Sequence, residues 1–328
     1  MRMAGYIERR ATRVCSFPFV FTLAVTAGLV ALAAMPARAG AMAGGPSVAA
    51  VPVPGPGWTI TERRNALWNV VRHCVQASRA AGAGGREAHA SATAPPREPP
   101  ADDVSRPNAC ARVDLQAGYM VLKDNSPAKP YAFLLLPTEP ITGTEDSRLW
   151  VTNGPNYWRA AYENRGYVER VLKLPLQRTQ IGFAANSIYG RSQDQLHIHV
   201  TCIRPDVAAQ LAASVGKLSD SRWTLLPPLA GKRHRYRALL TDDAALAHTD
   251  PVRLLARDVY PDGDMLPHTL FMAPVTLADG RPGFAFLDGE ADQDARHGRY
   301  TPAGNRGASE ELLDDSCAIA RGADAHRR

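Results

Sequence analysis

The sequence predicts an α+β fold with antiparallel strands and flanking helices. Two observations support this class. Short apolar runs with strand character follow one another in hairpin order, and the helical segments stand between groups of strands rather than after each strand, which is typical of α+β proteins. Hydrophobic residues make up 45% and charged residues 21% of the 328 residues, so the chain is long and apolar enough for two domains or one large one.

The N-terminal residues 1–39 are predicted to be a targeting segment. A basic stretch at residues 9–13 precedes an uncharged apolar run at 14–35, and Ala37-Arg38-Ala39 has the small-x-small pattern of a signal-peptidase site. The run also has the roughly 20 residues that a helix needs to span a bilayer. A cleaved signal and a single-pass anchor are therefore both open. Either places the remainder outside the cytoplasm, in the periplasm or on the inner membrane facing it.

Low-complexity and helical stretches come next. Residues 40–59 are rich in Ala, Gly and Pro and predict a linker. Residues 60–78 have apolar positions at helical spacing, and Thr59 and Glu62 have the spacing of a capping box. Residues 80–108 have few large apolar side chains, which predicts a disordered insert.

Two sets of strands follow. The first contains a hairpin whose second strand stops at Pro137. Its strands are predicted at 119–123, 131–136, 180–185 and 195–203, with helices at 157–172 and 206–218. The second set has strands at 236–240, 269–273 and 283–287 with a helix at 251–256, and a short helix is predicted at 309–320. Its order resembles a degenerate copy of the first set, so we divide the chain into a catalytic half, 60–205, and a degenerate half, 206–328.

The cysteine content agrees with export. Cys15 lies in the apolar run, and an even number of cysteines remains, which in an exported chain suggests two disulfides. Four cysteines allow three pairings. We favour Cys74–Cys110 and Cys202–Cys317, because the first bond would tie off the insert between its ends. Buried free thiols are the alternative.

The candidate catalytic residues are two histidines on the strand at 195–203. Side chains alternate between the faces of a strand. One face therefore carries the polar residues Gln195, His197, His199 and Thr201, and the other carries the apolar residues Leu196, Ile198, Val200 and Cys202. The strand is predicted to hold a histidine-bearing face toward solvent or substrate and an apolar face toward the core.

A neutral imidazole is a nucleophile toward phosphorus when an acceptor fixes its tautomer and nearby donors neutralise the phosphoryl oxygens. The polar loop before the strand offers such donors, including backbone amides that Gly190 would let approach a phosphate. Its candidate phosphate-binding residues are Asn186, Gly190, Arg191, Ser192 and Gln193. A solvated turn between two strands is the plainer interpretation of this loop.

Other interpretations of the two histidines are a structural role or a zinc site. Zinc would need a third ligand, and Cys202 is predicted to point to the opposite face, so we expect no metal and no cofactor. The other histidines are interpreted as surface or structural residues. The net charge of +6 suits an anionic substrate or a membrane surface. No block of Lys and Arg points to nucleic acid.

The residues around the histidines resemble known families. The His-x-His strand resembles the histidine-triad superfamily of nucleotide hydrolases and transferases. The longer string from Asn186 to Asp206, NSIYGRSQDQLHIHVTCIRPD, resembles the CDP-diacylglycerol diphosphatase (pyrophosphatase) family, as do residues 118–124, residues 221–223, the N-terminal segment and the cysteine positions. The resemblance covers about residue 60 to the C-terminus, outside the insert.

This resemblance implies a phosphoric anhydride hydrolase that cleaves CDP-diacylglycerol to CMP and phosphatidate without metal. It implies that His197 attacks the α-phosphorus and that His199 binds the phosphate or the bridging oxygen. Asn186 matches the asparagine of the phosphate loop, and Ser192 or Gln193 matches a polar phosphate contact. Gln195 stands where the superfamily has the first histidine of its triad, so it cannot titrate, but it can still form hydrogen bonds.

The resemblance also implies a histidine-triad-like sheet. Triad proteins usually work as dimers, and this chain is long enough to carry both halves, so we predict a monomer with an intrachain pseudo-dimer. The lipid substrate fits an enzyme held at a membrane surface. The alternatives are hydrolysis of another nucleotide diphosphate ester, a non-catalytic exported protein that binds nucleotide or lipid, and a zinc-dependent hydrolase.

Overall fold

The structure, a computed structural model, describes residues 64–84, 104–151, 153–229, 234–260 and 263–325. These residues all lie within one compact unit of the chain. The predicted targeting segment, the linker and the capping box of Thr59 and Glu62 lie outside them. Within the described ranges, no helix is both long and apolar enough to cross a membrane.

One antiparallel sheet runs through the described chain. Its strands are β1 (Cys110–Asp114), β2 (Tyr119–Lys123), β3 (Phe133–Pro137), β4 (Ile181–Ala185), β5 (Ile198–Ile203), β6 (Thr224–Leu225), β7 (Tyr236–Asp242), β8 (His268–Thr276), β9 (Pro282–Glu290) and β10 (Leu313–Asp314). They are ordered β1-β2-β3-β5-β4-β8-β9-β7-β6, and β10 pairs with the end of β5 beyond its contact with β3. This confirms the α+β antiparallel class.

Helices cover both faces of the sheet. They are α1 (Ala66–Gly84), α2 (Arg148–Val151), α3 (Tyr157–Glu163), α4 (Gly166–Leu172), α5 (Pro205–Ser214), α6 (Pro251–Val259), α7 (Gln293–Arg296) and α8 (Ala318–Ala325). On the first face, α3, α4 and α6 pack on a core that includes Phe183 and Val200. On the second face, α1 packs on β2 and β3 through Val71, and α5 packs beside β8 through Val207 and Leu211.

On the second face of the sheet, His199 lies between the core under α1 and the core beside α5. His199 pairs with Leu134 of β3 on one side and with Ala184 of β4 on the other, and directly paired residues share a face of the sheet. Leu134 belongs to the core under α1, and Ala184 belongs to the core beside α5. His199 therefore lies at the boundary between these two cores, in a gap that α1 borders on one side.

Both favoured disulfides are present. Cys74 of α1 is bonded to Cys110 of β1, and Cys202 of β5 is bonded to Cys317, with Cα–Cα distances of 6.0 and 5.1 Å. The first bond fixes α1, which forms one wall of the gap, to the edge of the sheet. The second fixes the C-terminal segment to the histidine strand.

Two stretches differ from the local structure predicted for them. The helix predicted at 157–172 is two helices, because the side chain of Asn164 donates a hydrogen bond to the Ala160 carbonyl and caps α3. Helix α1 continues to Gly84, and Val104 is fully buried, so both ends of the predicted insert are ordered. The pairing of β4 with β8 joins residues of both predicted halves in one sheet. The division into two halves and the pseudo-dimer stay predictions.

The prediction of one helix at 309–320 is wrong. This stretch forms a 3-10 helix (Ser309–Leu312), then β10, and only then α8. Cys317 has a positive φ of 53° and is bonded to β5, so a continuous helix cannot pass through it. The segment follows tertiary contacts instead of its own periodicity.

Candidate active site

His197 and His199 lie at the floor of a cavity of about 770 Å³, a size that suits a small-molecule ligand. One wall is apolar and comes from α1 and the adjacent strands, and the other is polar and comes from loops. The apolar wall consists of Ala66, Leu67, Val70, Leu122 and Leu134, and the polar wall includes Arg64, Lys129, Asn186, Ser192, Arg306 and Glu310. The strand predicted at 195–203 begins at Ile198, so Gln195 and His197 precede it. Within the strand the predicted alternation of faces is confirmed, since Ile198, Val200 and Cys202 all lie in the core of the first face.

His197 has one ring nitrogen fixed and the other available. Its Nδ1 lies 2.7 Å from the backbone carbonyl oxygen of Gln195. A carbonyl only accepts hydrogen bonds, so Nδ1 carries the hydrogen and Nε2 keeps its lone pair. Burial, reinforced by the neighbouring His199, lowers the pKa of His197 to about 3. The ring is therefore neutral near pH 7, which is the form that can attack phosphorus.

His199 contacts a carboxylate that sequence reasoning missed. Its Nε2 lies 3.0 Å from Oε2 of Glu310, and the two imidazole rings meet edge to face with centroids 4.9 Å apart. The Nε2–Glu310 contact meets the distance of an ion pair but not the geometry of a hydrogen bond. The same carboxylate oxygen accepts a hydrogen bond of 3.1 Å from Nζ of Lys129.

Asn186 lines the cavity and joins it to the C-terminal segment. Its Oδ1 accepts a hydrogen bond of 3.3 Å from the backbone N–H of Glu310. Its side-chain NH₂ has no hydrogen-bond partner among the described residues and can donate to a ligand. The phosphate contact expected for Asn186 stays a prediction.

The backbone of the predicted phosphate loop is largely committed to itself. The amides of Tyr189, Gly190 and Arg191 donate to the backbone or hydroxyl oxygen of Ser187. A Cβ at position 190 would lie 2.6 Å from the Gly307 carbonyl oxygen. Gly190 therefore allows close packing against the C-terminal segment. The prediction that its amide approaches a phosphate is not supported, because this amide donates to Ser187.

Arg191 does not present a free charge to the cavity, which corrects its expected role. Its guanidinium makes two hydrogen bonds of 2.7 Å to the carboxylate of Glu145, and its side chain is 3% exposed. It also contacts Asp194, which is held at 2.6 Å by Arg64 in a two-bond ion pair. Both arginines are neutralised before any substrate arrives.

Gln195 is fully buried and does not line the cavity, so a direct substrate contact is not supported. Its side-chain NH₂ donates to the carbonyl oxygens of Pro137 and Glu139. These bonds fix the backbone of residue 195, whose carbonyl sets the tautomer of His197. Through its backbone carbonyl, Gln195 orients the ring of His197, although its own side chain is not a histidine.

Ser192 and Gln193 both reach the cavity wall. Ser192 is exposed, so its hydroxyl can contact a ligand. The side-chain oxygen of Gln193 accepts a hydrogen bond of 2.9 Å from the backbone N–H of Leu67, at the start of α1. Gln193 thus ties the first turn of α1 to the loop.

Five charged residues that line the cavity were not found from the sequence: Arg64, Asp124, Lys129, Arg306 and Glu310. Arg306 lies 4.4 Å from the ring centroid of Tyr300 and donates to the Tyr189 carbonyl at 3.4 Å. It has no carboxylate partner within the described part of the chain. These residues carry no local motif, because the fold brings them to the histidines from distant positions.

One group of possible metal ligands exists among the described residues, away from this cavity. It comprises His268, Asp288 and Glu290. Asp288 already accepts hydrogen bonds from His268 and Arg237, both at 2.8 Å. The carboxylate of Asp288 is thus already engaged by Arg237, and His268 is a buried residue bonded to it.

Comparison with known proteins agrees with the resemblance of the motif. A family model described as CDP-diacylglycerol pyrophosphatase matches residues 98–321. A CDP-diacylglycerol pyrophosphatase from Yersinia pestis is 34% identical over 214 residues, which are 65% of this chain and 77% of that protein. Among solved structures, the yeast Ap4A phosphorylase Apa2 matches with 14% identity and a TM-score of 0.35, over 55% of this chain and 59% of that one. The chain belongs to the CDP-diacylglycerol pyrophosphatase family and is a hydrolase.

Proposed function

We propose that this protein hydrolyses CDP-diacylglycerol to CMP and phosphatidate through a nucleotide covalently bound to His197. The observation that carries the proposal is the state of His197: a buried neutral ring, with Nδ1–H held by the Gln195 carbonyl and Nε2 unprotonated at the floor of the cavity. The amphipathic cavity suits a substrate that joins a charged diphosphate to an apolar group.

In the first step, the Nε2 lone pair forms a bond to the α-phosphorus. The bond from this phosphorus to the bridging oxygen breaks, and its electron pair leaves with phosphatidate. In the second step, water attacks the same phosphorus and gives up one proton, while the P–N bond breaks and its electron pair returns to Nε2, which releases CMP and neutral His197. The NH₂ of Asn186, His199 and the guanidinium of Arg306 are the donors that the geometry offers to the phosphoryl oxygens.

Replacement of His197 tests this mechanism. His197→Asn removes the nucleophilic nitrogen at similar volume and should lower kcat on CDP-diacylglycerol in detergent micelles by about 10³-fold or more. His248→Asn is a matched control, because His248 lies outside the cavity, and it should retain wild-type turnover. Hydrolysis by His197→Asn within tenfold of wild type would contradict the proposal.

We further propose that residues 1–39 bring the enzyme to the outer side of the inner membrane, where it acts on lipid at the surface as a monomer. The charge and apolar pattern of this segment supports the assignment. N-terminal sequencing of the protein purified from membrane and periplasmic fractions, with its sedimentation mass, tests it. Recovery of a full-length protein in the cytoplasm would contradict it.

A further inference from the structure

A carboxylate from the C-terminal segment is held rigidly against the second histidine. Glu310 follows Ser309, whose side chain is fully buried. The backbone N–H of Ser309 donates to Thr269 Oγ1 at 2.9 Å, and its hydroxyl donates to the Leu270 carbonyl at 2.8 Å. The backbone of Glu310 is held by Asn186. These bonds attach the segment to β8 and to the phosphate loop, so the carboxylate has a defined position.

The carboxylate of Glu310 is charged. Burial by itself would raise its pKa, but His199 and Lys129 more than offset burial and hold the pKa of Glu310 well below its usual range. Burial likewise opposes the charge of Lys129, but Glu310 offsets burial and raises the pKa of Lys129. A persistent anion therefore lies 3.0 Å from the imidazole of His199.

Further charged groups lie around His199. Asp315 and Asp124 both interact electrostatically with Lys129, and Asp315 also interacts with His199. His197, which immediately precedes β5, is neutral near pH 7. The acidic side chains of this cluster are those of Glu310, Asp315 and Asp124, and the cations near them are Lys129 and, in the same cavity, Arg306.

Nε2 of His199 remains available to a ligand. This nitrogen is buried, and it has no hydrogen bond of proper geometry within the described residues, although Oε2 of Glu310 lies 3.0 Å away. A buried donor without an aligned acceptor is costly. A substrate oxygen that enters beside His197 can provide that acceptor, because the two rings are in contact.

We propose that Glu310 is a positioning residue that keeps His199 protonated, so that His199 acts as the general acid for the departing phosphatidate. This inference rests on the proposed function. As the P–O bond breaks, the Nε2 proton moves to the oxygen that receives the electron pair, and His199 becomes neutral. In the second step, neutral His199 takes a proton from the attacking water and is restored as an imidazolium ion.

The test compares Glu310→Gln with Glu311→Gln. Glu311 is the adjacent residue in the same 3-10 helix, but it bonds to His234 and Tyr236 and does not line the cavity. Two substrates are used: CDP-diacylglycerol in micelles, and the p-nitrophenyl ester of CMP, whose leaving group needs no proton. Glu310→Gln should lower kcat on CDP-diacylglycerol about 10²-fold and move the alkaline limb of its pH profile to lower pH.

The same variant should lower turnover of the p-nitrophenyl ester by only about threefold or less, since no acid is needed there. Glu310→Asp, which keeps the charge, should recover most of the alkaline limb, and Glu311→Gln should behave as wild type. Equal losses on both substrates would indicate a merely structural role and overturn the proposal. Faster turnover in Glu310→Gln would also overturn it, since the carboxylate would then compete with substrate phosphate.

A readout independent of turnover separates this inference from the proposed function. In the full chain labelled with ¹⁵N-histidine, the fraction of His199 that is protonated at pH 7 should fall in Glu310→Gln and stay unchanged in Glu311→Gln. An unchanged fraction in Glu310→Gln would overturn the inference. Absence of CDP-diacylglycerol hydrolysis by the wild-type protein would overturn the proposed function, while this measurement would still decide the role of Glu310.

Discussion

The loop 186–193 and the segment 306–310 line the same cavity but offer it different chemistry. The loop has the residues of a phosphate site, yet three of its amides bond to Ser187 and Arg191 is paired with Glu145. The segment has no recognisable motif, yet it supplies Glu310 to His199 and a guanidinium without a carboxylate partner in the described structure, that of Arg306. A charge in a motif can bind substrate only when the fold leaves it unpaired.

The largest expected effect is a loss of stability when Arg191 is replaced, and it tests whether this arginine supports the fold or binds substrate. Arg191→Met leaves the buried carboxylate of Glu145 unpaired, so the free energy of unfolding should fall by about 3–5 kcal/mol. Urea denaturation measures this loss. The double variant Arg191→Met, Glu145→Leu should recover much of it, because no unpaired charge remains. A stable Arg191→Met protein with a raised KM would instead show that Arg191 binds the substrate phosphate.

A second prediction concerns His197, which lies between the two regions. Its pKa is lowered from 6.5 to about 3 in the folded protein, chiefly by burial. The unfolded chain therefore binds a proton below pH 6.5 that the folded protein does not bind until about pH 3, so acid destabilises the fold in this window. Between pH 6.5 and 4.5 this residue should contribute a loss of about 2–3 kcal/mol.

Urea denaturation of wild type and His197→Asn at both pH values checks the pH prediction. The stability of wild type should fall more steeply than that of the variant, by the stated amount. Glu310, whose pKa is also lowered, adds acid sensitivity to both proteins below its unfolded value and cancels in the comparison. Parallel curves for the two proteins would show that His197 takes up its proton normally.

The smallest expected effect is on substrate binding, and it tests the segment 306–310 through Arg306. Arg306→Gln removes one charge-assisted contact to the diphosphate and should raise KM for CDP-diacylglycerol about tenfold, which corresponds to about 1.4 kcal/mol, with little change in kcat. Arg299→Gln is the matched control, because Arg299 is paired with Asp294 on the surface, away from the cavity. An equal effect of both substitutions would reduce the role of Arg306 to general electrostatic attraction.

The sequence predicted the parts of this site that depend on local periodicity. The faces of β5 follow from the alternation of side chains along a strand, and β2 was placed at its observed bounds. The disulfides were also predicted correctly, because few pairings are possible and one brackets the insert. The family could be identified from the sequence because the residues that resemble it form one contiguous string around His197.

The rest of the site depends on contacts between residues that are far apart in the chain. Arg191 was expected to bind phosphate because its partner Glu145 comes from another segment. Glu310 could not be linked to His199 because the segment that carries it has helical periodicity, whereas tertiary bonds and Cys317 give it another structure. Pairing of charges across a fold has no signature in a single sequence.

The central claim is that His197 forms a covalent bond to the nucleotide. Acid-quenched protein, sampled within a turnover of mixing with CDP-diacylglycerol and digested for mass spectrometry, tests it most directly. We predict a cytidylyl adduct on the peptide that contains His197, located on that side chain and absent from His197→Asn. Turnover with no adduct on any residue, or with the adduct on a different residue, would contradict the account.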